Sequence, residues 1–478
     1  MSGPLTRLRD LQRADLPIHT GRTLAYVYDS GMEEVDRVGA AAVAAYSASN
    51  GLDPTAFPSL LTMENELVGW ALDLIDAPDG AVGSVTSGGT ESCLLTVQGA
   101  RDAHPSDRPN LVVADTVHAA FHKAAHYFGV EVRALPVGDD FRADADAMTA
   151  AMDEDTVLVV ASAPSYAHGV IDPVSAIASA AAERGIRCHV DACIGGWVLG
   201  YAARLGRTVT PWTFDVDGVT SISVDTHKYG YAPKGTSLLL HRDAQLRKPQ
   251  YFAFAGWPGY TMLNSTMQST KSGGPLAGAW AVAQTLGHEG YADLTGRALE
   301  ATTRIVAAVA RVDGISVLAA PDSTLVALVT DESCDPFTVC DEMGARGWFV
   351  QPQMSRGNSP ANVHLSVSAA TLAHVSEFED ALRASVAAAR SAGPVAVDAD
   401  VIAFIESLDP ATLSDDDFDG LLAASGLVGG GDEGLELPER MAEVNAMLDV
   451  ASPAMREALL VAFLDRLQRP ARRTPASL

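Results

Sequence analysis

From about residue 61 the chain alternates short apolar runs with longer amphipathic ones. NLVVAD (110–115), TVLVVAS (156–162), IRCHVDA (186–192), SISVD (221–225) and TSLLLH (236–241) are aliphatic and often β-branched, as buried strands are. Between and before them, LTMENELVGWALDLI, AAFHKAAHYFG and VSAIASAAAERG repeat apolar residues at helical spacing, and Gly185 ends the last as a C-terminal cap. Strands alternating with helices predict an α/β fold with a largely parallel sheet. A helix at ALEATTRIVAAVARVDG (298–314) opens a second block. There ISVLAAP, TLVALVTD and NVHLSVSA read as strands and FEDALRASVAAARSAG as a closing helix. The expected organisation is a lead-in over 1–60, a large domain over 61–297, a smaller α/β domain over 298–394 and an extension over 395–478.

The extension has a different composition. It holds 16 acidic residues and 6 basic ones, all Arg. SLDPATLSDDDFDG and LVGGGDEG read as exposed linkers. PAMREALLVAFLDRL sets Met455, Leu459, Leu460, Phe463, Leu464 and Leu467 on one helical stripe, which must bury against a partner helix or the body of the protein. Over all 478 residues, 33 basic groups face 60 acidic ones, a formal charge of −27. That excess argues against nucleic acid or an anionic membrane as a partner. A hydrophobic share of 47% excludes a chain disordered throughout. The five cysteines include no CxxC pair, no apolar leader opens the chain, and no apolar run reaches the ~18 residues of a membrane span. A reduced, cytoplasmic protein is expected.

Three segments carry chemistry. In SVTSGGTESCLL (84–95), Ser87, Gly88, Gly89 and Thr90 precede a helix whose free N–H groups suit a phosphate; the same residues also make an ordinary capping box. In CHVDACIGGW (188–197), Asp191 stands at a strand end, where open α/β sheets place ligands and where Asp also caps helices. In SVDTHKYGYAPKG (223–235), Lys228 lies between His227 and Tyr229. A lysine there, partly desolvated with a lowered pKa, is suited to Schiff-base chemistry.

Pyridoxal 5'-phosphate would account for all three together. Lys228 would join its aldehyde, Asp191 would face the pyridinium nitrogen, and the Ser87–Thr90 loop would hold the phosphate. Cys193 either touches the ring or is a small buried residue. His118, His122 and His126 recur at i, i+4 and i+8, a spacing that can present metal ligands, but no Glu or Cys at matching spacing completes a set, and no metal is expected. The aromatic run YFAFAGW is either a substrate wall or core.

The motifs AYVYDSG, SGGTES, HAAFHKAAHYFGV, SAPSYAHGVIDP, HVDACIGGW, DTHKYGYAPKGTS and TKSGGPLAGAWA, in this order, resemble the fold-type I pyridoxal-phosphate enzymes of the group II decarboxylase superfamily. Within it they resemble the sphingosine-1-phosphate lyases, over nearly the whole chain. The resemblance implies an aspartate aminotransferase-like fold and a homodimer with shared active sites. It implies that His118 stacks on the cofactor ring, that His227 lies near the phosphate, and that Gly273 belongs to a loop reaching the neighbouring subunit's phosphate. It also places Tyr28, Lys234, Tyr166 and the Asn50–Asp53 loop near a small or lipid-like amino substrate. The lyases read N-P-L-H where this chain reads Asn50-Gly51-Leu52-Asp53, and Lys271 stands where Arg is common. Asp53 would repel a substrate phosphate. The expected activity is carbon–carbon cleavage of a phosphorylated 2-amino-3-hydroxy compound. An amino-acid decarboxylase, or a lyase on a non-phosphorylated amino alcohol, is the alternative.

Overall fold

The structure is a computed structural model that describes residues 3–424 and 439–470. Two compact units divide the chain. The first holds Met1–Ala307, Leu318–Ala327 and Leu365–Val375; the second holds Ala308–Val317, Leu328–His364 and Ser376–Leu478.

The first unit is built on a seven-stranded sheet. Its strands are β1 (Val82–Thr86), β2 (Asn110–Ala114), β3 (Glu131–Leu135), β4 (Thr156–Ser162), β5 (Arg187–Asp191), β6 (Val219–Asp225) and β7 (Ser237–His241), in the order β1-β7-β6-β5-β4-β2-β3. Every residue of β2 and β4 is buried, as unbroken apolar strands covered on both faces must be. The β6-to-β3 pairs are parallel, but β7 runs antiparallel to both of its neighbours. Two reversals cancel, so β1 points the same way as β6. The C-terminal ends of β1, β2, β4, β5 and β6 therefore share one edge, the usual ligand edge of an α/β sheet.

Strand β1 escapes the apolar-run criterion because Gly83 and Ser84 dilute it. Gly83 is required there: a Cβ would fall 2.7 Å from Leu240 Cδ2 and 2.9 Å from Val68 Cγ1. Beneath the sheet, Tyr291 stacks on Trp197 at 4.9 Å and on Tyr201 at 5.4 Å. The Tyr291 hydroxyl donates to Gly230 O at 2.9 Å, and the Tyr229 hydroxyl donates to Val367 O at 2.9 Å. These two buried phenols pin the turn that carries Lys228. A two-stranded hairpin of β8 (Phe252–Phe254) and β9 (Met262–Asn264) follows, and then the long helix Gly273–Val309, broken at Gly287.

The second unit holds most residues of a four-stranded sheet. Its order is β10 (Ile315–Val317), β11 (Leu325–Thr330), β13 (Asn362–Ser366) and β12 (Gln351–Gln353). Its C-terminal helices correct two expectations. SLDPATLSDDDFDG is not a linker. Ser414 and Asp417 form a reciprocal cap, Ser414 N–H to Asp417 Oδ2 and Asp417 N–H to Ser414 Oγ, both at 3.1 Å. The helix Asp415–Ala424 follows and buries Phe418 and Leu421 with Ile405, Met447, Met455 and Leu459. The stripe on the helix Pro453–Leu467 splits. Met455 and Leu459 are buried and Phe463 is partly buried, whereas Leu460, Leu464 and Leu467 are exposed, because the first three repeat at i, i+4, i+8 and the others lie about 100° round the helix. LVGGGDEG lies outside the described residues. No described helix is long and apolar enough to cross a membrane.

Candidate active site

Strands β5 and β6 end alike, on Val190-Asp191 and Val224-Asp225. Lys228 follows β6 in a turn, and its Nζ lies 2.9 Å from Asp225 Oδ2. His227 Nε2 lies 3.7 Å from the same oxygen, and its Nδ1–H donates to Thr236 O at 2.7 Å. Asp225 is buried, and Lys228 and His227 are mostly so. Burial alone would raise the aspartate and lower the lysine, but the attraction between them wins in both. Asp225 is held below the usual carboxylate range by Lys228 and His227. Lys228 is held well above the usual lysine range by Asp225. The expectation of a lowered Lys228 is thus reversed by a counter-ion three residues earlier.

Asp191 is buried beside this pair of charges but has neutral partners. Its Oδ1 accepts from Cys193 N–H at 3.1 Å and from the Ser223 hydroxyl at 3.3 Å. The Cys193 thiol donates to Ser223 Oγ at 3.2 Å. Hydrogen bonding with Cys93, and then burial, push the Cys193 thiol well up, so it packs as a protonated, weakly polar group. Among the described residues, Cys93, Asp191 and Cys193 form the one group with ligand atoms close enough to share an ion. His118, His122 and His126 are not in it: His118 precedes the helix Ala120–Phe128, and all three are exposed.

The loop after β1 reaches the same place. Gly88 has φ 157°, and the helix Gly89–Ala103 begins with no side-chain cap on its N-cap residue, which leaves N–H groups facing outward. A Cβ on Gly89 would fall 2.8 Å from Cys193 Sγ and 2.9 Å from Asp225 Oδ1; one on Gly88 would touch His227 Cε1 at 3.7 Å. Glycine is needed for the loop to lie against those groups. Ser87 is half-buried and Thr90 is exposed. Glu91, buried, accepts the Ser87 N–H at 2.6 Å and, with its other oxygen, the Met267 N–H at 2.8 Å.

A second amine stands over the first. Lys234 Nζ donates to Tyr26 O at 3.0 Å and to His227 O at 3.2 Å, and lies 4.9 Å from the centre of the Tyr28 ring. Tyr26 reaches it from a left-handed backbone, φ 62°. Loss of water around the amine, and then the nearby Lys228 charge, bring Lys234 down to about 8, although the residue as a whole is exposed. The Tyr28 and Tyr166 phenols both hydrogen-bond Ser366, and burial raises both.

Lys228, His227, Asp191, Cys193, Gly88, Gly89, Lys234, Tyr28 and Tyr166 thus form one connected set. His118, Gly273 and Asp53 are held elsewhere within the chain. His118 Nδ1 accepts the Ala120 N–H at 3.2 Å. Gly273 opens its helix against Ser49, with its N–H on Ser49 O at 3.2 Å. Asp53 caps its own turn through Thr55 N–H at 2.8 Å, the Thr55 hydroxyl at 2.6 Å and Ala56 N–H at 3.2 Å, which lower its carboxyl. Lys271 is consumed by Glu64, at 2.7 Å. The sequence reading passed over Asp225, Glu91 and Ser366. Asp225 had a signal, because β6 repeats the Val-Asp ending of β5. Ser366 had none, since it comes from a distant segment.

The profile of the family described as "Pyridoxal-dependent decarboxylase conserved domain" matches residues 30–329, and that of "Pyridoxal-dependent enzyme, C-terminal putative HTH domain" matches residues 399–466. A sphingosine-1-phosphate lyase of Arabidopsis thaliana is 36% identical over 390 residues, 79% of this chain and 70% of that protein. One from Oryza sativa subsp. japonica is 38% identical over 347 residues, 71% of this chain and 63% of that protein, so the chain spans less than two thirds of it. The structure of a Burkholderia pseudomallei sphingosine-1-phosphate lyase superposes with a TM-score of 0.76 at 33% identity, covering 82% of this chain and 92% of that one. Pyridoxal phosphate fits the donor set: an uncapped helix start for a phosphate, an amine for an aldehyde, and a buried carboxylate with neutral partners for a ring N–H⁺.

Proposed function

The chain belongs to the pyridoxal-dependent decarboxylase family and is closely related to the sphingosine-1-phosphate lyases, and from that premise we propose that it cleaves the C2–C3 bond of a phosphorylated 2-amino-3-hydroxy compound such as sphingosine 1-phosphate. The products are an aldehyde and phosphoethanolamine. When bound, pyridoxal phosphate supplies an aldehyde that takes up an amine and a ring that accepts the electron pair released at C2. The chain's residues do the rest. The Gly88–Gly89 loop, with Ser87 and Thr90, orients the phosphate, and Asp191 holds a proton on the ring nitrogen. Lys228 presents its amine, and Asp225, 2.9 Å away, holds that amine in position. Lys234, down to about 8, takes the proton of the C3 hydroxyl as the bond to C2 opens. Lys228 then returns a proton to C2. His118 covers the ring face, and Tyr28 and Tyr166 line the substrate side. Two copies form a homodimer, with Gly273 of each completing the other's site.

The observation that supports cleavage next to a hydroxyl is the second amine, Lys234, set beside Lys228 with its own proton affinity brought near neutrality. The family's description as decarboxylases supports a second reading, release of carbon dioxide from an amino acid. Incubating the holo-protein with sphingosine 1-phosphate, unphosphorylated sphingosine and a panel of amino acids separates them. Aldehyde and phosphoethanolamine from the first substrate are the expected products. Carbon dioxide from an amino acid, without aldehyde, establishes the second reading instead.

A further inference from the structure

Three buried polar side chains beside Asp191 have no part in the proposed reaction. His189 and Asp191 alternate on β5, and Ser221 and Ser223 alternate on β6. The register sets His189 beside Ser221 and Asp191 beside Ser223. All four are buried, His189 and Ser223 completely. An imidazole inside a parallel sheet is costly where an aliphatic side chain would pack, unless both ring nitrogens find partners. Here both do. Nδ1 lies 2.9 Å from Ser221 Oγ, and Nε2 lies 3.1 Å from Ser223 Oγ. The Phe121 ring packs against the imidazole with its centre 5.7 Å away.

One charge fixes the direction of these bonds. The ring-nitrogen role of Asp191 needs an ionised carboxylate, which offers acceptors only. Ser223 has a single hydroxyl hydrogen, and at 3.3 Å that hydrogen points at Asp191 Oδ1. Ser223 Oγ then accepts from its other two neighbours, the Cys193 thiol at 3.2 Å and His189 Nε2. Nε2 therefore carries the imidazole hydrogen. Burial brings His189 down to about 4, so the ring is neutral and Nδ1 is a bare acceptor for the Ser221 hydroxyl. With the other tautomer, Ser223 would donate to Nε2 and turn only lone pairs on Asp191. Among the described residues both donors to Asp191, Cys193 N–H and Ser223, meet Oδ1, which leaves Oδ2 for the ring nitrogen.

We propose that His189 and Ser223 are positioning residues for Asp191: the chain Ser221 to His189 to Ser223 to Asp191, with every hydrogen pointing towards the carboxylate, holds that carboxylate ionised and aimed at the cofactor's ring nitrogen. Bonds that point one way polarise one another, so the Ser223 hydroxyl is a stronger donor at the end of the chain than it would be alone. A carboxylate held this way leaves the shared proton on the ring and does not take it back. The ring can then accept the electron pair released at C2. The inference rests on the ring-nitrogen role proposed for Asp191 and on nothing about the substrate.

Neutron diffraction from deuterium-exchanged crystals of the wild-type holo-protein reads the chain without any variant. Deuterium is expected on His189 Nε2 and not on Nδ1, and on Ser223 Oγ pointing at Asp191. Deuterium on Nδ1, alone or with Nε2, overturns the proposal. Variants read its consequence. Ser223→Ala should lower kcat about ten- to a hundredfold, the effect of losing one hydrogen bond to a charged group, with KM changed by no more than about twofold. In the same variant, the NMR signal of the ring nitrogen in isotope-labelled pyridoxal phosphate should move towards that of the unprotonated ring, a change that a purely structural role would not produce. His189→Gln, which keeps a donor towards Ser223, should recover most of what His189→Leu loses. A ring signal unchanged from wild type in cofactor-loaded Ser223→Ala overturns the tuning of Asp191, and equal losses in the Gln and Leu variants overturn the part given to His189. Should the Leu variant fail to fold, the neutron map and Ser223→Ala still decide. A wild-type ring that is already unprotonated removes the role of Asp191 and this proposal with it. The expected map and ring signals without cleavage of sphingosine 1-phosphate would count against the lyase reading and not against this chain of bonds.

Discussion

Two aspartates end adjacent strands with the same dipeptide, and the chain treats them differently. Asp191 is met by a backbone N–H and a hydroxyl, both neutral, which suits the ring-nitrogen role proposed for it. Asp225 is met by Lys228 and His227, so its charge is spent at once. The lesson concerns partners more than position. A buried carboxylate with neutral donors is prepared for a cationic ligand, whereas one with a cation three residues on regulates that cation. The same contrast divides the two lysines. Lys228 has a counter-ion and is held up; Lys234 is brought down to about 8 by the loss of water around its amine and by the neighbouring Lys228 charge.

Each arm of this comparison can be broken separately. Lys228→Ala should abolish turnover and the visible absorbance of the bound cofactor; a variant that keeps both would refute the site. Asp191→Asn should fold normally and lower kcat on the order of 10²–10³-fold, because a neutral amide cannot hold the ring proton. Asp225→Asn should act mainly on stability, costing about 3 kcal/mol in denaturant titration, since it strands a buried ammonium. Equal losses of kcat with no loss of stability in both aspartate variants would erase the distinction. The pH profile of kcat should rise through about 8 as Lys234 sheds its proton, and Lys234→Met should remove that limb at lower overall activity. The sign for stability follows from the same depression. Between about 8 and the unfolded lysine value of 10.5 the unfolded chain binds more protons, so this group's penalty is relieved as pH rises through that window and is fully present below it. The smallest effect is expected at Asp53→His, which should raise turnover of phosphorylated substrates a few-fold, with the turn kept by its remaining backbone bonds. Unchanged kinetics would place Asp53 outside the substrate pocket.

Much of this was visible in the residues. Strands β2, β4, β5 and β6 announce themselves because burial on both faces demands unbroken apolar runs, whereas β3, an edge strand with exposed and half-buried residues, carries no such run. Strand β1 is hidden by Gly83, whose absence of a side chain is a packing requirement that no local pattern reveals. The direction of β7 was readable in principle. Only residues 226–236 separate it from β6, too few for a parallel crossover with its helix. The lysine and the first aspartate stand out as motifs, whereas the raised proton affinity of Lys228 does not, because it depends on how a five-residue turn folds its amine back onto Asp225. The acidic stretch near residue 415 looked like a linker for a simpler reason: its charges are N-terminal helix residues, and its apolar ones arrive only every third or fourth position.

The reversed strand has a consequence for the order of synthesis. Strand β1 lies at the sheet's edge and pairs only with β7, in a register that runs from Val82–His241 to Thr86–Ser237. The glycine loop that follows β1 therefore has no seat until the ribosome has released the chain past His241. Early translation products hold the loop's residues but not its shape, so acquiring vitamin B6 becomes a late event in biogenesis and a natural signal that the first unit has been assembled.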